Sequence, residues 1–116
     1  MQPTSNAIVI VDGLPPYRVF NVNCAWQKLC GYSLMEARHH TLGSLLSNSE
    51  INSVKASDLV KKLESGQEEV EATIVNYKKC GRRFLDHIRI GPLCDKQNKI
   101  THFVGVVEEI PPSNSV

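Results

Sequence analysis

Residues 70–110 read VEATIVNYKKCGRRFLDHIRIGPLCDKQNKITHFVGVVEEI, and this stretch decides the fold. β-Branched and aromatic residues dominate three runs around and within it, Glu69–Tyr77, Arg83–Ile90 and Ile100–Ile110. Residues of this kind favour strands, and the breaks between the runs fall at Cys80-Gly81 and at Asp95–Asn98. Because both connections are short, the pattern predicts three long antiparallel strands that pair in sequence order.

Alternation along these strands divides their residues between two faces of a sheet. One face takes Val70, Ala72, Ile74, Asn76, Phe84, Asp86, Ile88, Ile90, Phe103, Gly105 and Val107. The other takes Thr73, Val75, Tyr77, Leu85, His87, Arg89, His102, Val104 and Val106. The second face carries more charge, so we expect helices to cover the first. Asn76 and Asp86 are then the unusual polar pair on the core side.

Length and composition indicate one domain with one core, since the chain has 116 residues, 41% hydrophobic residues and a net charge of +1. The basic residues come as scattered pairs, so we predict no nucleic-acid or membrane binding by this domain. The sequence has no secretory signal and no apolar span. We therefore expect an intracellular protein, cytoplasmic or nuclear, with reduced thiols at the four cysteines and no metal site.

The N-terminal half of the chain predicts two more strands and several short helices. Ala7–Val11 and Tyr17–Val22 are the strands, and Asn23 can cap a helix that ends at Gly31. Ser33 and Glu36 fit a capping box. We expect loops and one irregular turn from His39 to Ser53, then a helix over Val54–Ser65 that Gly66 terminates. Met1–Asn6 and Pro111–Val116 are predicted to be flexible ends. The result is an α+β fold with helices on one face of the sheet.

Several motifs resemble the PAS fold, and more narrowly its LOV (light-oxygen-voltage) branch of flavin-binding sensors, of the phototropin and aureochrome type. They are Phe20-Asn21-Val22-Asn23, Leu29-Cys30-Gly31-Tyr32-Ser33, Asn76-Tyr77-Lys78-Lys79-Cys80-Gly81 and Thr101-His102-Phe103-Val104-Gly105-Val106. The resemblance covers residues 7–110. It implies a five-stranded antiparallel sheet in the spatial order 2-1-5-4-3.

The same resemblance implies a flavin pocket whose contacts have been replaced. Counting from Tyr32 without a gap, Leu42 stands at the photoactive cysteine, Gly43 at the arginine that meets the flavin phosphate, and Leu46 at the following glutamine. Asn76 matches the first polar residue at the ring edge, Asp86 the second, and Val107 the glutamine of the last strand. We therefore expect no flavin–cysteine adduct and no cofactor, and keep weakened binding of flavin mononucleotide (FMN) as the alternative.

Two places in the sequence keep alternative interpretations. Asp86 either contacts a ligand or has no binding role, and in the second case it turns to solvent at a strand bulge or pairs with Asn76 and a water. His39-His40 could be metal or haem ligands, and the sequence favours exposed histidines because nothing nearby completes a ligand set. Cys80 lies in a tight turn and is predicted to be exposed.

The function predicted from these observations is that of a regulatory module that binds protein. No catalytic constellation is visible, so we expect no enzyme activity. The outer face of the sheet, with Val75, Leu85, His87, Val104 and Val106, is predicted to pair with a second copy of the chain, or with a flanking helix or output domain of a larger protein. The alternative is a small-molecule or flavin sensor.

Overall fold

The computed structural model describes residues 6–46, 58–66 and 68–111. Its five strands are β1 (Ala7–Asp12), β2 (Val19–Val22), β3 (Val70–Tyr77), β4 (Arg83–Cys94) and β5 (Ile100–Ile110). They form one antiparallel sheet in the order β2-β1-β5-β4-β3, which confirms the predicted topology. Three short helices follow β2: α1 (Cys24–Cys30), α2 (Leu34–Ala37) and α3 (Leu42–Leu46).

Both predicted helix caps are present. Asn23 precedes α1 and accepts a hydrogen bond from the backbone of Trp26 at 3.0 Å, while Gly31 ends the helix with φ 90°. Ser33 and Glu36 form the complete capping box of α2. These local signals fix where each helix starts because the side chains satisfy backbone donors that the helix leaves free.

The segment after α2 differs from the expected loop. Thr41 accepts a hydrogen bond from the backbone of Ser44 at 3.1 Å through its side chain, and its carbonyl accepts one from Leu45 at 3.2 Å. Thr41 thereby caps α3, which brings Leu46 into the core. The remainder of the predicted loop, residues 47–53, lies outside the described residues.

The longer predicted helix is described in part. Residues 58–64 are helical, Leu59 and Leu63 are buried, and Gly66 follows with φ 113°. Residues 54–57 lie outside the described part of the chain, as do 1–5 and 112–116, so the predicted flexible ends stay a prediction.

Two strand boundaries also differ from expectation by more than one residue. β4 continues four residues past Ile90, which pairs with Val70, the first residue of β3. Gly91, Pro92, Leu93 and Cys94 keep pairing with β5 beyond that point. Pro92 is tolerated there since β3 no longer flanks that part of β4. β2 begins at Val19 rather than Tyr17, because Tyr17 has φ 63° and closes a turn on Leu14.

The core lies between the predicted inner face of the sheet and the helices. Val70, Ile74, Phe84, Ile88, Phe103 and Val107 are buried, together with Trp26, Cys30, Leu46, Leu59 and Leu63 from the helical side. The choice of inner face is therefore confirmed. Asn76 and Asp86 are the two buried polar residues on it, 9% and 2% exposed.

Candidate functional site: a small cavity beneath the sheet

A cavity of about 80 Å³ lies between the inner face of the sheet and the helices. The described residues that line it are Val9, Trp26, Leu42, Gly43, Leu46, Leu59, Ile74, Asn76, Asp86, Ile88, Ile90 and Val107. All six positions that the resemblance matches to flavin contacts are among them: Leu42, Gly43, Leu46, Asn76, Asp86 and Val107. The strands contribute the polar pair and Val107, and α3 contributes the two leucines.

The polar pair of the cavity is joined by a direct hydrogen bond. The Asn76 side-chain amide donates to Asp86 Oδ2 at 2.7 Å. Pairing between β3 and β4 runs without a register shift, so Asp86 keeps its inward position. The alternative in which a bulge turns Asp86 to solvent is therefore wrong. The pairing with Asn76 is present, and contact of Asp86 with a ligand stays a prediction.

Asp86 is an unusual carboxyl group. Burial raises its pKa from 3.8 to about 6, because removing water penalises the charged form. The hydrogen bond from Asn76 and the charge of His87 act in the opposite direction but do not cancel the effect of burial. Asp86 Oδ1 is buried without a hydrogen-bond partner in the described part of the chain.

Trp26, which none of the sequence motifs singles out, also lines the cavity. It is fully buried, and its indole Nε1 has no hydrogen-bond partner among the described residues. The cap of α1 holds it in place, since Asn23 Oδ1 accepts from the backbone of both Trp26 and Ile8. The available signal in the sequence is a single tryptophan three residues after the cap residue Asn23. A buried indole normally finds an acceptor for its N–H, so a tryptophan placed in the core draws attention to its hydrogen bonding.

Apart from Gly43, the other described residues of the cavity wall are aliphatic, and none of the four cysteines of the chain is among them. Cys24, Cys80 and Cys94 are exposed, so the predicted exposure of Cys80 is confirmed. Cys30 is buried elsewhere in the core. Burial raises the pKa of its thiol to about 12, and the nearby charge of Asp86 acts in the same direction.

The predicted partner face lies on the side of the sheet away from the cavity. Leu85 is 36% exposed, and Val75, His87, Val104 and Val106 are half-buried. His87 Nδ1 lies 3.4 Å from Thr73 Oγ1, and His87 Nε2 lies 3.6 Å from Glu71 Oε1.

These partner-face residues do not form one continuous apolar patch. Val104 and Val106 pair in register with Ile10 and Ile8 of β1, whereas Leu85 pairs with Ile110. Arg89, opposite Val106, stands between the two groups. We call Ile8, Ile10, Val104 and Val106 the outer patch. Ile8 and Ile10 join the outer patch because β1 lies beside β5, which alternation along the last three strands does not reveal.

Phe20 adds an aromatic ring at the edge of the outer patch. It is 45% exposed, and its ring centroid lies 4.7 Å from that of His102. Phe20 is absent from the partner face predicted from sequence.

His39 and His40 are both exposed. Among the described residues, no three His, Cys, Asp or Glu side chains lie close enough together to hold a metal ion. No helix in the described ranges is long and apolar enough to cross a membrane.

Comparison with known proteins gives the family. A model of the PAS fold matches residues 2–110, so the chain belongs to the PAS family. Blue-light-activated histidine kinase 2 of Erythrobacter litoralis (strain HTCC2594) is 33% identical over 94 residues, which cover 81% of this chain and 27% of that protein. The chain thus spans about a quarter of the length of this curated relative.

Solved structures of LOV domains share the fold. The LOV domain of the Erythrobacter litoralis EL346 blue-light activated histidine kinase superposes with a TM-score of 0.78 at 24% identity, covering 95% of this chain and 100% of that one. The Rhodobacter sphaeroides LOV protein gives a TM-score of 0.81 at 21% identity. The match covers 96% of this chain and 62% of that one. The architecture of this chain is therefore that of a LOV domain.

Proposed function

We propose that this PAS domain is a signalling module that acts through protein contacts, without flavin–cysteine photochemistry and without catalysis. The observation that carries the proposal is the composition of the cavity wall, which includes none of the four cysteines. A photochemical adduct needs a thiol beside the flavin ring, and Leu42 has no nucleophile to offer.

The residues around the cavity do not fit the flavin ring. Pockets for cofactors of this size have volumes of about 300–1,000 Å³, whereas this cavity measures about 80 Å³. At the polar edge of the ring, an ionised Asp86 can accept hydrogen bonds but cannot donate them. Leu46 and Val107 are aliphatic, so they can do neither. Each polar group left unpaired there would weaken binding by about 1–3 kcal/mol.

Weakened FMN sensing is the second candidate function. It is supported by the 33% identity to a protein named as a blue-light-activated kinase. The double variant Leu42→Cys with Val107→Gln tests it, because the first change supplies a thiol and the second a ring contact. If the wild-type chain binds FMN weakly, the double variant will bind it more tightly. An unchanged affinity would count against this alternative.

The outer patch is the proposed contact surface. Four aliphatic side chains from two adjacent strands face away from the core, and Phe20 extends them at the edge. An apolar surface of this kind is stabilised when a partner removes it from water. The small net charge of +1 presents little electrostatic opposition to a second copy of the chain, so we propose a homodimer.

A flanking helix or an output domain of a longer protein is the other proposed occupant of the patch. It is supported by the length of the curated relative, of which this chain spans 27%. A covalently attached segment would compete with a second copy of the chain because its effective concentration is high.

Sedimentation of the purified chain tests the pairing. Val104→Glu puts a charge in the outer patch and should turn dimers into monomers, because an unpaired charge is costly in an apolar contact. Met35→Glu is the matched control, since Met35 is 89% exposed and lies on α2, on the helical side. If Val104→Glu and Met35→Glu both form dimers, the dimer contact lies outside the outer patch. A wild-type chain that stays monomeric at high concentration would rule out self-pairing.

A further inference from the structure

A second concave region lies outside the cavity, where the end of α1 meets the turn between β3 and β4. Lys28, Lys78, Lys79 and Arg82 line it, and its volume is about 590 Å³. We call it the basic groove. Four of its described lining residues are cationic and none is anionic. The fold thus brings together basic residues that the sequence places in separate pairs.

The two sides of the basic groove are held together by backbone contacts. The backbone N–H of Lys79, in the turn, donates to the carbonyl of Cys30, at the end of α1, at 2.8 Å. Gly31 permits this close approach, because a Cβ added to it would lie 3.2 Å from Lys79 Cβ. The groove therefore has its shape before anything binds, which lowers the cost of binding.

Aromatic rings position the two lysines of the turn. Lys78 Nζ lies 5.5 Å from the centroid of the Phe84 ring, and Lys79 Nζ lies 5.9 Å from that of Tyr32. An ammonium group within about 6 Å of a ring centroid is attracted to the face of the ring. These two cations are therefore held at the groove and do not extend freely into solvent.

The cations of the basic groove already contact carboxylates at its rim. Lys78 Nζ lies 3.1 Å from Glu109 Oε1, and an Arg82 guanidinium nitrogen lies 3.8 Å from Glu109 Oε2. Lys79 pairs with Glu36 and lowers the pKa of that carboxyl through a hydrogen bond. The side chains of Lys79 and Arg82 are still 51% and 64% exposed. Since an ammonium has three donors and a guanidinium five, both can bind further acceptors.

The charge at the basic groove exceeds that of the whole chain. With Arg83, which adjoins Arg82 in a neighbouring pocket, five cations face the two carboxylates of the rim, a net charge of +3. The chain as a whole carries +1, so all its other residues together carry −2. A short acidic segment is attracted to such a local excess, whereas an extended polyanion such as a nucleic acid would also meet the acidic remainder.

We propose that the basic groove binds an acidic peptide segment of a partner protein through neighbouring aspartate or glutamate carboxylates. Lys28 and Arg82 hold the carboxylates, because both are exposed and Lys28 has no ion pair in the described part of the chain. This inference goes beyond the proposed function. No residue of the outer patch lines the basic groove, so the sedimentation test does not bear on it.

A peptide titration tests the proposal. The probe is tetraglutamate with blocked ends, added to ¹⁵N-labelled protein at low ionic strength, and tetraglutamine with blocked ends is the neutral control. We expect saturable shifts at the backbone amides of Gly31, Lys79 and Arg82 with the acidic peptide only. Raising the salt from about 0.05 M to about 0.5 M should weaken binding at least about tenfold, because salt screens exposed charges.

Variants assign the binding to the groove. Lys28→Gln combined with Arg82→Gln removes two exposed cations and should weaken tetraglutamate binding about tenfold. Lys96→Gln combined with Lys99→Gln is the matched control. It removes the same charge from exposed lysines in the turn at the other end of β4 and should leave the affinity within about twofold of wild type. Chemical-shift spectra of both double variants establish that they are folded.

Three results would overturn the proposal. One is the absence of saturable shifts with tetraglutamate up to about 10 mM, or equal shifts with tetraglutamine. Another is an equal loss of affinity in the two double variants, which would mean attraction to net charge and not to the groove. The last is tighter binding of a short single-stranded oligonucleotide than of tetraglutamate, which would make the groove a nucleic-acid contact.

Discussion

Replacing Asp86 with asparagine should change the pH dependence of stability in a predictable direction. The pKa of Asp86 is raised by burial to about 6 in the folded protein, against 3.8 for an ordinary aspartate. The folded state therefore holds the proton more tightly than the unfolded state. The stability that this proton contributes is complete below about pH 4 and is lost as the pH rises through about 6.

The size of this effect follows from the same two pKa values. Each pKa difference of one corresponds to 1.36 kcal/mol, so ionisation of Asp86 lowers the free energy of unfolding by about 3 kcal/mol. Asparagine does not ionise, and it can still accept the hydrogen bond from Asn76. Relative to the wild-type chain, Asp86→Asn should thus gain stability from about pH 4 to about pH 7.

Urea unfolding of both proteins across this pH range measures the difference directly. Asp12→Asn is the control, because Asp12 is an exposed carboxylate at the end of β1 and its loss changes the net charge equally. A stability difference between wild type and Asp86→Asn that stays flat with pH would refute the reasoning. A difference that shrinks as pH rises would show that the carboxylate, not the acid, is the stabilising form.

Three further predictions follow from buried contacts outside the polar pair. Thiol titration of the native protein should label three of the four cysteines, Cys24, Cys80 and Cys94, because Cys30 is buried with a pKa of about 12; fast labelling of all four would contradict this. Asn23→Ala should cost about 1–2 kcal/mol of unfolding free energy by denaturant titration, since Asn23 Oδ1 caps α1 and also binds the backbone of β1; a cost near zero would show that the cap is dispensable. Gly105→Ala should destabilise by about 1–3 kcal/mol, because its added carbon would lie 3.1 Å from Ile88 Cδ1 and 3.3 Å from Val9 Cγ1; an unchanged melting temperature would mean that the core can yield.

The inner face of the sheet could be predicted from sequence because it follows from the alternation of residues along each strand, which depends only on neighbouring positions. Alternation places Asn76, Asp86 and Val107 on one face whatever the rest of the chain does, and strand pairing then brings them together. The caps of α1 and α2 were predictable for the same reason, since each depends on residues within one turn.

Features that depend on tertiary neighbours were not predictable in this way. The outer patch needs β1 beside β5, so Ile8 and Ile10 become its members only once the sheet order is known. The extension of β4 through Pro92 depends on where β3 begins. The orphaned donor on Trp26 depends on the shape of the cavity, which no single segment determines.

The absence of flavin–cysteine photochemistry is the central claim, and absorption spectroscopy under blue light tests it most directly. The purified chain is mixed with excess FMN, illuminated, and followed in the dark, with a photoactive LOV domain measured in parallel. The account predicts a flavin band that does not bleach reversibly, because Leu42 and not a cysteine lines the cavity. Bleaching that recovers in the dark would mean that a thiol reaches the ring, and it would contradict the account.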